Sequence, residues 1–284
     1  MPSRLVRASA PAKLNLGLHV LRRRDDGFHD IETVMVPIGW ADHLTATSAD
    51  HLALTCSDPA LPTDEENLVV RAALALAEWA GIRPKAALHL EKRVPYGAGL
   101  GSGSSDAAAT LRLLDHLWNL EVPEAALHEI AATLGSDVPF FLLDGPALAT
   151  GRGEVLMPLP NDEATAYRCP FAWVVAVPPI HVATGEAYGL ITPHDADRVD
   201  VLALVQSNDL ARWRAELRND FEAPILARYP AIRQIRERLL AEGAGYAALS
   251  GSGAAVFGAF DQHEAARQAA EGMAGNGLRV WWGR

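Results

Sequence analysis

The sequence predicts an α+β chain of two domains. Three observations predict it. Residues 13–21 and 31–38 carry strand patterns on either side of a turn signal, Asp25-Asp26-Gly27. Residues 107–134 carry two helical patterns. After a polar, proline-containing stretch, strands and helices alternate again from Ala172 to the end. A chain of 284 residues is long for one domain and ample for two.

The elements follow in order. Leu14, Leu16, Leu18 and Val20 fall on one face of an extended segment, which predicts a half-buried strand. Ile31 to Ile38 is its hairpin partner. Leu88 and Leu90 alternate with His89 and Glu91 in a later strand, and Pro95 closes it. Ala107, Leu111, Leu114 and Trp118 line one face of a helix. Pro123 and Glu124 open the next, with Leu127, Ile130 and Leu134 inward and Gly135 as its stop. The pattern breaks between Pro158 and Arg168, which places the domains at 1–163 and 164–284. Beyond it come a strand at 172–177, an amphipathic helix near 231–242 and a strand at 247–249 running into Ser250-Gly251-Ser252-Gly253. A strand to Phe260, a helix and a last strand ending at Trp282 complete the reading. The pair Trp281-Trp282 reads as core or edge packing.

Composition narrows the function. Hydrophobic residues make up 49% of the chain, enough to bury a core without disulfides or metals. A formal net charge of −10 argues against a nucleic-acid partner, which needs a basic face to displace counterions. Local patches such as Arg22-Arg23-Arg24 still allow a small anionic substrate. The two cysteines, Cys56 and Cys169, match no metal or redox spacing and read as reduced thiols of a cytoplasmic protein. The longest apolar run, Phe171 to Ile180, is half of the ~20 residues a membrane span needs. Lys13, Asn15 and His19 interrupt what could otherwise pass for a signal segment. No membrane partner is expected.

The chemistry centres on residues 95–105, which read Pro95-Tyr96-Gly97-Ala98-Gly99-Leu100-Gly101-Ser102-Gly103-Ser104-Ser105, with Asp106 beginning a helix. Glycine permits positive φ and close approach of a ligand to the backbone. The helix start offers unpaired N–H groups and the positive end of a dipole, and the two serines add hydroxyl donors. A glycine run alone also serves as a turning connector, but the strand–loop–helix context favours a cradle for a triphosphate. No lysine completes a Walker A loop, and the dinucleotide fingerprint finds serine at 102 or 104 where it needs glycine.

This segment, continued by Asp106-Ala107-Ala108, resembles the central motif of the GHMP kinases. Ala10-Pro11-Ala12-Lys13-Leu14-Asn15-Leu16 resembles their N-terminal motif, and Leu249 to Gly258 their C-terminal glycine motif. The resemblance spans nearly the whole chain. It implies a ribosomal protein S5 domain 2-like N-terminal domain, a ferredoxin-like C-terminal domain, ATP as phosphoryl donor and Mg²⁺ arriving with it. Asp26 to Thr33, Leu134 to Phe141 and Gly151-Arg152-Gly153-Glu154 are similar to one branch of the family. That branch phosphorylates the 2-hydroxyl of cytidine-diphospho-methylerythritol in the non-mevalonate isoprenoid route. A related kinase of the homoserine, mevalonate or sugar type, or a non-catalytic sensor on the same fold, is the alternative.

Site residues follow from the motifs. Asp137, ahead of the apolar run Val138 to Leu143, is a carboxylate at the mouth of a buried strand. Alone it reads as a solvated or capping residue; the resemblance makes it the general base. Lys13 lies in an apolar strand, where a buried charge needs a partner or a role. It reads either as an edge lysine with its ammonium in water or, from the resemblance, as the group that orients Asp137 or neutralises the transferring phosphoryl group. The resemblance implies ATP contacts from Pro95 to Ser105 and from Asn67. It implies substrate contacts from Asn15, Phe28, His29, Thr184 and Tyr188, the aromatic groups against the cytosine. Phe28 stands where tyrosine is usual, which keeps stacking and removes a phenolic hydrogen bond. Ser102 and Ser136 stand for the commoner glycine and alanine. Asn219-Asp220-Phe221-Glu222 is assigned a structural role across the domain interface.

Overall fold

Leu14, Leu16, Leu18 and Val20 do lie in a strand, but it is longer than their alternation implies. In the computed structural model β1 runs from Leu5 to Arg23, and β2 from His29 to Thr47. The strand is also buried on both faces between Ala12 and Val20, so Lys13, Asn15 and His19 are 4%, 2% and 1% exposed. The reading of a half-buried strand is corrected there. Gly27, at φ 86°, makes the turn between β1 and β2. The structure describes residues 5–159, 167, 169–275 and 277–284, so the domain boundary expected at 163/164 lies outside the described residues.

The described chain divides into two compact units, and β1 and β2 each contribute to both. The first holds residues 1–12, 41–96 and 101–144. In it β4 (Ala87–Glu91) pairs antiparallel with His43–Thr47 of β2 and parallel with β3 (Ala53–Cys56). Three helices pack together: α1 (Leu68–Ala80), α2 (Ser102–Trp118) and α3 (Glu124–Leu134). Leu76, Leu88, Leu111, Leu114 and Leu127 fill their core. Residues Pro139–Leu142 form a short 3-10 turn rather than the buried strand expected after Asp137. Pro139 explains the difference, because it has no N–H for a ladder and its fixed φ suits the first turn of a helix.

The second unit holds residues 13–40, 97–100 and 145–284. There β5 (Ala147–Thr150) pairs with Thr33–Met35 of β2, and β6 (Val155–Pro158) pairs with β5. A separate antiparallel sheet has the order β10-β7-β9-β8, built from β7 (Ala172–Val177), β8 (Tyr246–Leu249), β9 (Val256–Phe260) and β10 (Arg279–Gly283). Four short helices enter between β7 and the sheet's return: α4 (Thr184–Gly189), α5 (Val201–Gln206), α6 (Leu210–Glu216) and α7 (Glu222–Arg228). The amphipathic α8 (Pro230–Ala241) and α9 (His263–Met273) bury Ile232, Leu239, Ala269 and Met273 against Val174, Ala176 and Val256. Trp281 stacks on Trp40 at a centroid distance of 6.1 Å, so the tryptophan pair is packing. Burial pushes the Cys169 thiol up to about 11, which keeps it an inert thiol.

Candidate active site

The glycine loop leaves β4, and three of its glycines, Gly97, Gly99 and Gly101, have φ of 68°, 82° and 69°. L-residues rarely adopt these angles, so the alternation of glycines is a backbone requirement. Gly101 caps α2, a 17-residue helix, without a side-chain hydrogen bond to its first N–H groups. Those N–H groups and the helix dipole face the same end, an arrangement suited to phosphate. The two serines divide. Ser104 is half-buried, whereas Ser105 is 1% exposed and its hydroxyl has no partner among the described residues. Tyr96 is 65% exposed beside Gly103. Asn67 caps α1: its Oδ1 accepts from Val69 N at 2.9 Å and its Nδ2 donates to Pro62 O at 2.7 Å.

In the second unit the middle of this loop is clamped from two sides. Lys13 N donates to Leu100 O at 3.0 Å, and Lys13 Nζ donates to Gly99 O at 3.2 Å and to Asn15 Oδ1 at 2.5 Å. Asn15 Nδ2 in turn donates to Thr33 Oγ1 at 3.2 Å. From the other side Ser250 Oγ donates to Gly99 O at 2.9 Å, and Ala255 N to Ala98 O at 3.0 Å. The three sequence motifs therefore meet on residues 97–100. Lys13 is neither an edge lysine nor exposed; it is buried with its ammonium on the loop. Asp137 belongs to the first unit, half-buried in the turn between α3 and the 3-10 turn.

Asn219-Asp220-Phe221-Glu222 makes its bonds within the second unit. Asn219 Nδ2 donates to Leu249 O and Gly251 O, both at 2.9 Å, and Glu222 accepts from Leu249 N at 2.9 Å. Asp220 accepts from Val20 N at 2.7 Å and holds Arg198. The segment thus ties β1 and its bound loop to the end of β8.

The expected aromatic residues also come together, all in the second unit. They line a cavity of 630 Å³ with Arg23, Phe28, His29, Arg152, Thr184 and Tyr188 in its walls. His29 stacks on Tyr188 at 4.5 Å and 17°. Tyr188 rests edge-on against the buried Phe221 at 4.9 Å, so the core fixes its plane. Asp26 Oδ1 accepts from Phe28 N at 3.1 Å, and Arg24 bridges Asp26 and Asp30, which holds the turn carrying Phe28 and His29. The hydrogen bond from Phe28 N, with Arg24 beside it, holds the Asp26 carboxyl below the usual range. Burial, helped by Arg23, lowers the His29 imidazole below its ordinary value.

Sequence reasoning singled out Arg23 only within a basic patch and Arg152 only within a branch-like segment, and named neither as a site residue. The Arg152 guanidinium sits 5.0 Å from the Phe28 ring centroid, and Glu154 holds it at 3.2 Å. The signal was the quoted Gly151-Arg152-Gly153-Glu154 segment, whose partner in space the pattern does not name. Among the described residues no three His, Cys, Asp or Glu gather into a metal cage. None of the described helices is long and apolar enough to cross a membrane.

Residues 67–145 match the model of the GHMP kinases N terminal domain, and residues 201–277 that of the GHMP kinases C terminal domain. A 4-diphosphocytidyl-2-C-methyl-D-erythritol kinase of Salinibacter ruber is 56% identical over 272 residues, covering 95% of each chain. A crystal structure of 4-(cytidine 5'-diphospho)-2C-methyl-D-erythritol kinase superposes with a TM-score of 0.81 at 38% identity, covering 98% of both chains. A homoserine kinase of Cytophaga hutchinsonii superposes with a TM-score of 0.69 at 19% identity, covering 97% of this chain and 94% of its own, and shares the fold alone.

Proposed function

The chain belongs to the GHMP kinases, and from that premise we propose that it transfers the γ-phosphoryl group of ATP to the 2-hydroxyl of 4-diphosphocytidyl-2-C-methyl-D-erythritol, in the non-mevalonate synthesis of isoprenoid precursors. The observation that carries the acceptor is the 630 Å³ cavity with its His29–Tyr188 stack. A pyrimidine is flat, and its edge offers both donors and acceptors. A neutral His29 presents one of each, and its lowered proton affinity keeps it neutral at pH 7. Phe28 and Tyr188 supply stacking faces. Arg23 and Arg152 give the cavity positive charge suited to a diphosphate.

The donor side rests on the loop. Backbone N–H groups of residues 97–105 and the start of α2 receive the triphosphate of MgATP. Mg²⁺ arriving with ATP would be held largely by the nucleotide's own phosphates and would supply neutralising charge on their oxygens. Lys13, held on Gly99 O and Asn15, supplies fixed positive charge at the loop. In the reaction the acceptor's 2-oxygen forms a bond to the γ-phosphorus as the bond to the β,γ-bridging oxygen breaks. ADP leaves, and the hydroxyl proton passes to the Asp137 carboxylate. Catalysis comes mostly from positioning and fixed charge. Asn15 orients the erythritol hydroxyls, and Asn67 shapes the purine end through the start of α1.

The test is release of ADP by the full chain with cytidine-diphospho-methylerythritol, set beside homoserine, mevalonate and galactose. Turnover with the cytidine compound alone is expected. Equal inactivity with all four overturns the proposal.

A further inference from the structure

Inside the first unit, at the first turns of α2, three charged side chains are buried together. Lys92 follows β4 and its side chain is 4% exposed; Asp42 on β2 is fully buried and Asp106 on α2 is 5% exposed. Lys92 Nζ donates to Asp42 Oδ2 at 2.5 Å and to Asp106 Oδ2 at 2.8 Å. The carboxylates are served unequally. Asp42 Oδ1 also accepts from Arg93 N at 2.5 Å and Val94 N at 2.8 Å. Asp106 Oδ1 has no partner among the described residues, and neither has the adjacent Ser105 Oγ.

One cation and two carboxylates leave a net negative charge in the interior, which is costly. The structure relieves it at one place. Asp42 accepts hydrogen bonds on both oxygens, from Lys92 Nζ on one and from two backbone N–H groups on the other. Asp106 has one donor on one oxygen and a bare second oxygen, so the proton that cancels the charge belongs on Oδ1.

We propose that Asp42, Lys92 and Asp106 form a positioning triad for the nucleotide loop, with Asp106 as the member that gains and loses a proton. The reading rests on the loop being the nucleotide site. Asp106 follows Ser105, whose N–H donates to Gly101 O at 2.9 Å, so it is locked into the first turns of α2. Lys92 and Asp42 bolt that turn to β4 and β2. When Asp106 is neutral the helix start keeps its full attraction for phosphate. When it ionises, a negative charge lies behind the N–H groups that receive the anion. Burial raises the Asp106 carboxyl to about 7, with Lys92 pulling the other way and Asp42 adding to the rise. For Lys92 burial opposes the charge, yet the two carboxylates carry its proton affinity above the ordinary lysine value. Other charges on the packed elements turn away: Arg71 and Glu78 of α1 are exposed, Glu124 of α3 pairs with Arg112 at 2.8 Å, and Glu91 pairs with Arg93 at 2.9 Å.

The experiment titrates the full chain with MgATP alone, without acceptor, from pH 6 to 8.5. ATP's own terminal phosphate titrates in both proteins, so the difference between wild type and Asp106→Asn carries the result. Wild type is expected to lose about three- to tenfold more affinity across the range than Asp106→Asn, the worth of one charge near the phosphates. Identical slopes overturn the proposal. In the unaltered protein, the Asp106 carboxyl carbon followed by NMR should titrate near neutrality; a midpoint near 4 also overturns it, whether or not the variant folds. Absence of MgATP binding by wild type at every pH overturns the kinase reading instead.

Discussion

The carbonyl oxygen of Ser250 lies 2.1 Å from where a Cβ on Gly99 would stand. Two segments 151 residues apart therefore pack backbone to backbone, and Ser250 Oγ seals the contact on Gly99 O. Gly99 also has φ 82°, so an added methyl meets both a collision and a disfavoured backbone. Gly99→Ala should weaken MgATP binding at least ~10-fold and lower the melting temperature, by about 2–4 °C for each kcal/mol lost. Titration calorimetry and a thermal melt check both. Unchanged affinity would show that residues 97–100 do not shape the nucleotide site.

Asp137→Asn tests the base. The amide keeps the size of the side chain and cannot take the proton. Turnover should fall on the order of 10²-fold or more while binding of MgATP and acceptor is retained. A drop in binding with no change in kcat would assign Asp137 to substrate positioning.

His29 sets a pH limit on the acceptor side. Its folded-state proton affinity lies below the ordinary value of 6.5, first through burial and then through Arg23. The imidazole is therefore neutral above pH 6.5 and protonates only below it. On protonation it loses its acceptor nitrogen, so the KM for the cytidine substrate should rise as pH falls below 6.5, beyond the change in KM for ATP. The unfolded chain takes up this proton first, so the same group lowers stability as pH falls through 6.5. His29→Gln keeps a neutral donor and acceptor and should flatten the acceptor profile. A profile that stays as steep in His29→Gln removes His29 from cytosine recognition.

What the sequence made legible was local. The glycine alternation at 97, 99 and 101 encodes positive φ directly, and the spacing of Leu111 and Leu114 encodes a buried helix face. Lys13 was suspicious because a charge interrupted an apolar strand. What it hid was set by partners distant in the chain. Lys92 sits among the charged residues Glu91-Lys92-Arg93, and its carboxylates come from positions 42 and 106. Ser105 looks like its neighbour Ser104 until the helix turns one inward. Arg152 gained its place over Phe28 only when two turns met across the cavity.

Lys92 carries the last prediction, and it separates the triad from ordinary surface charge. Replacing an exposed lysine costs little, because solvent screens its pairs. Lys92→Met removes the cation and leaves Asp42 and Asp106 buried side by side, 0% and 5% exposed. Breaking a buried pair from one side costs about 3–5 kcal/mol. The loss should depend on pH. At pH 5 to 6 Asp106, raised to about 7 by burial, holds its proton. Removing Lys92 takes away the group that lowers the Asp106 proton affinity, so above pH 7, where the wild type gives up that proton, the variant is disfavoured relative to it. Denaturant unfolding of Lys92→Met should therefore show a deficit that grows from pH 6 to 8, and Lys92→Met with Asp106→Asn should recover part of it at pH 8. A deficit under about 1 kcal/mol at both pH values, the range of an exposed pair, would show that Lys92 is not the bolt between α2 and the sheet.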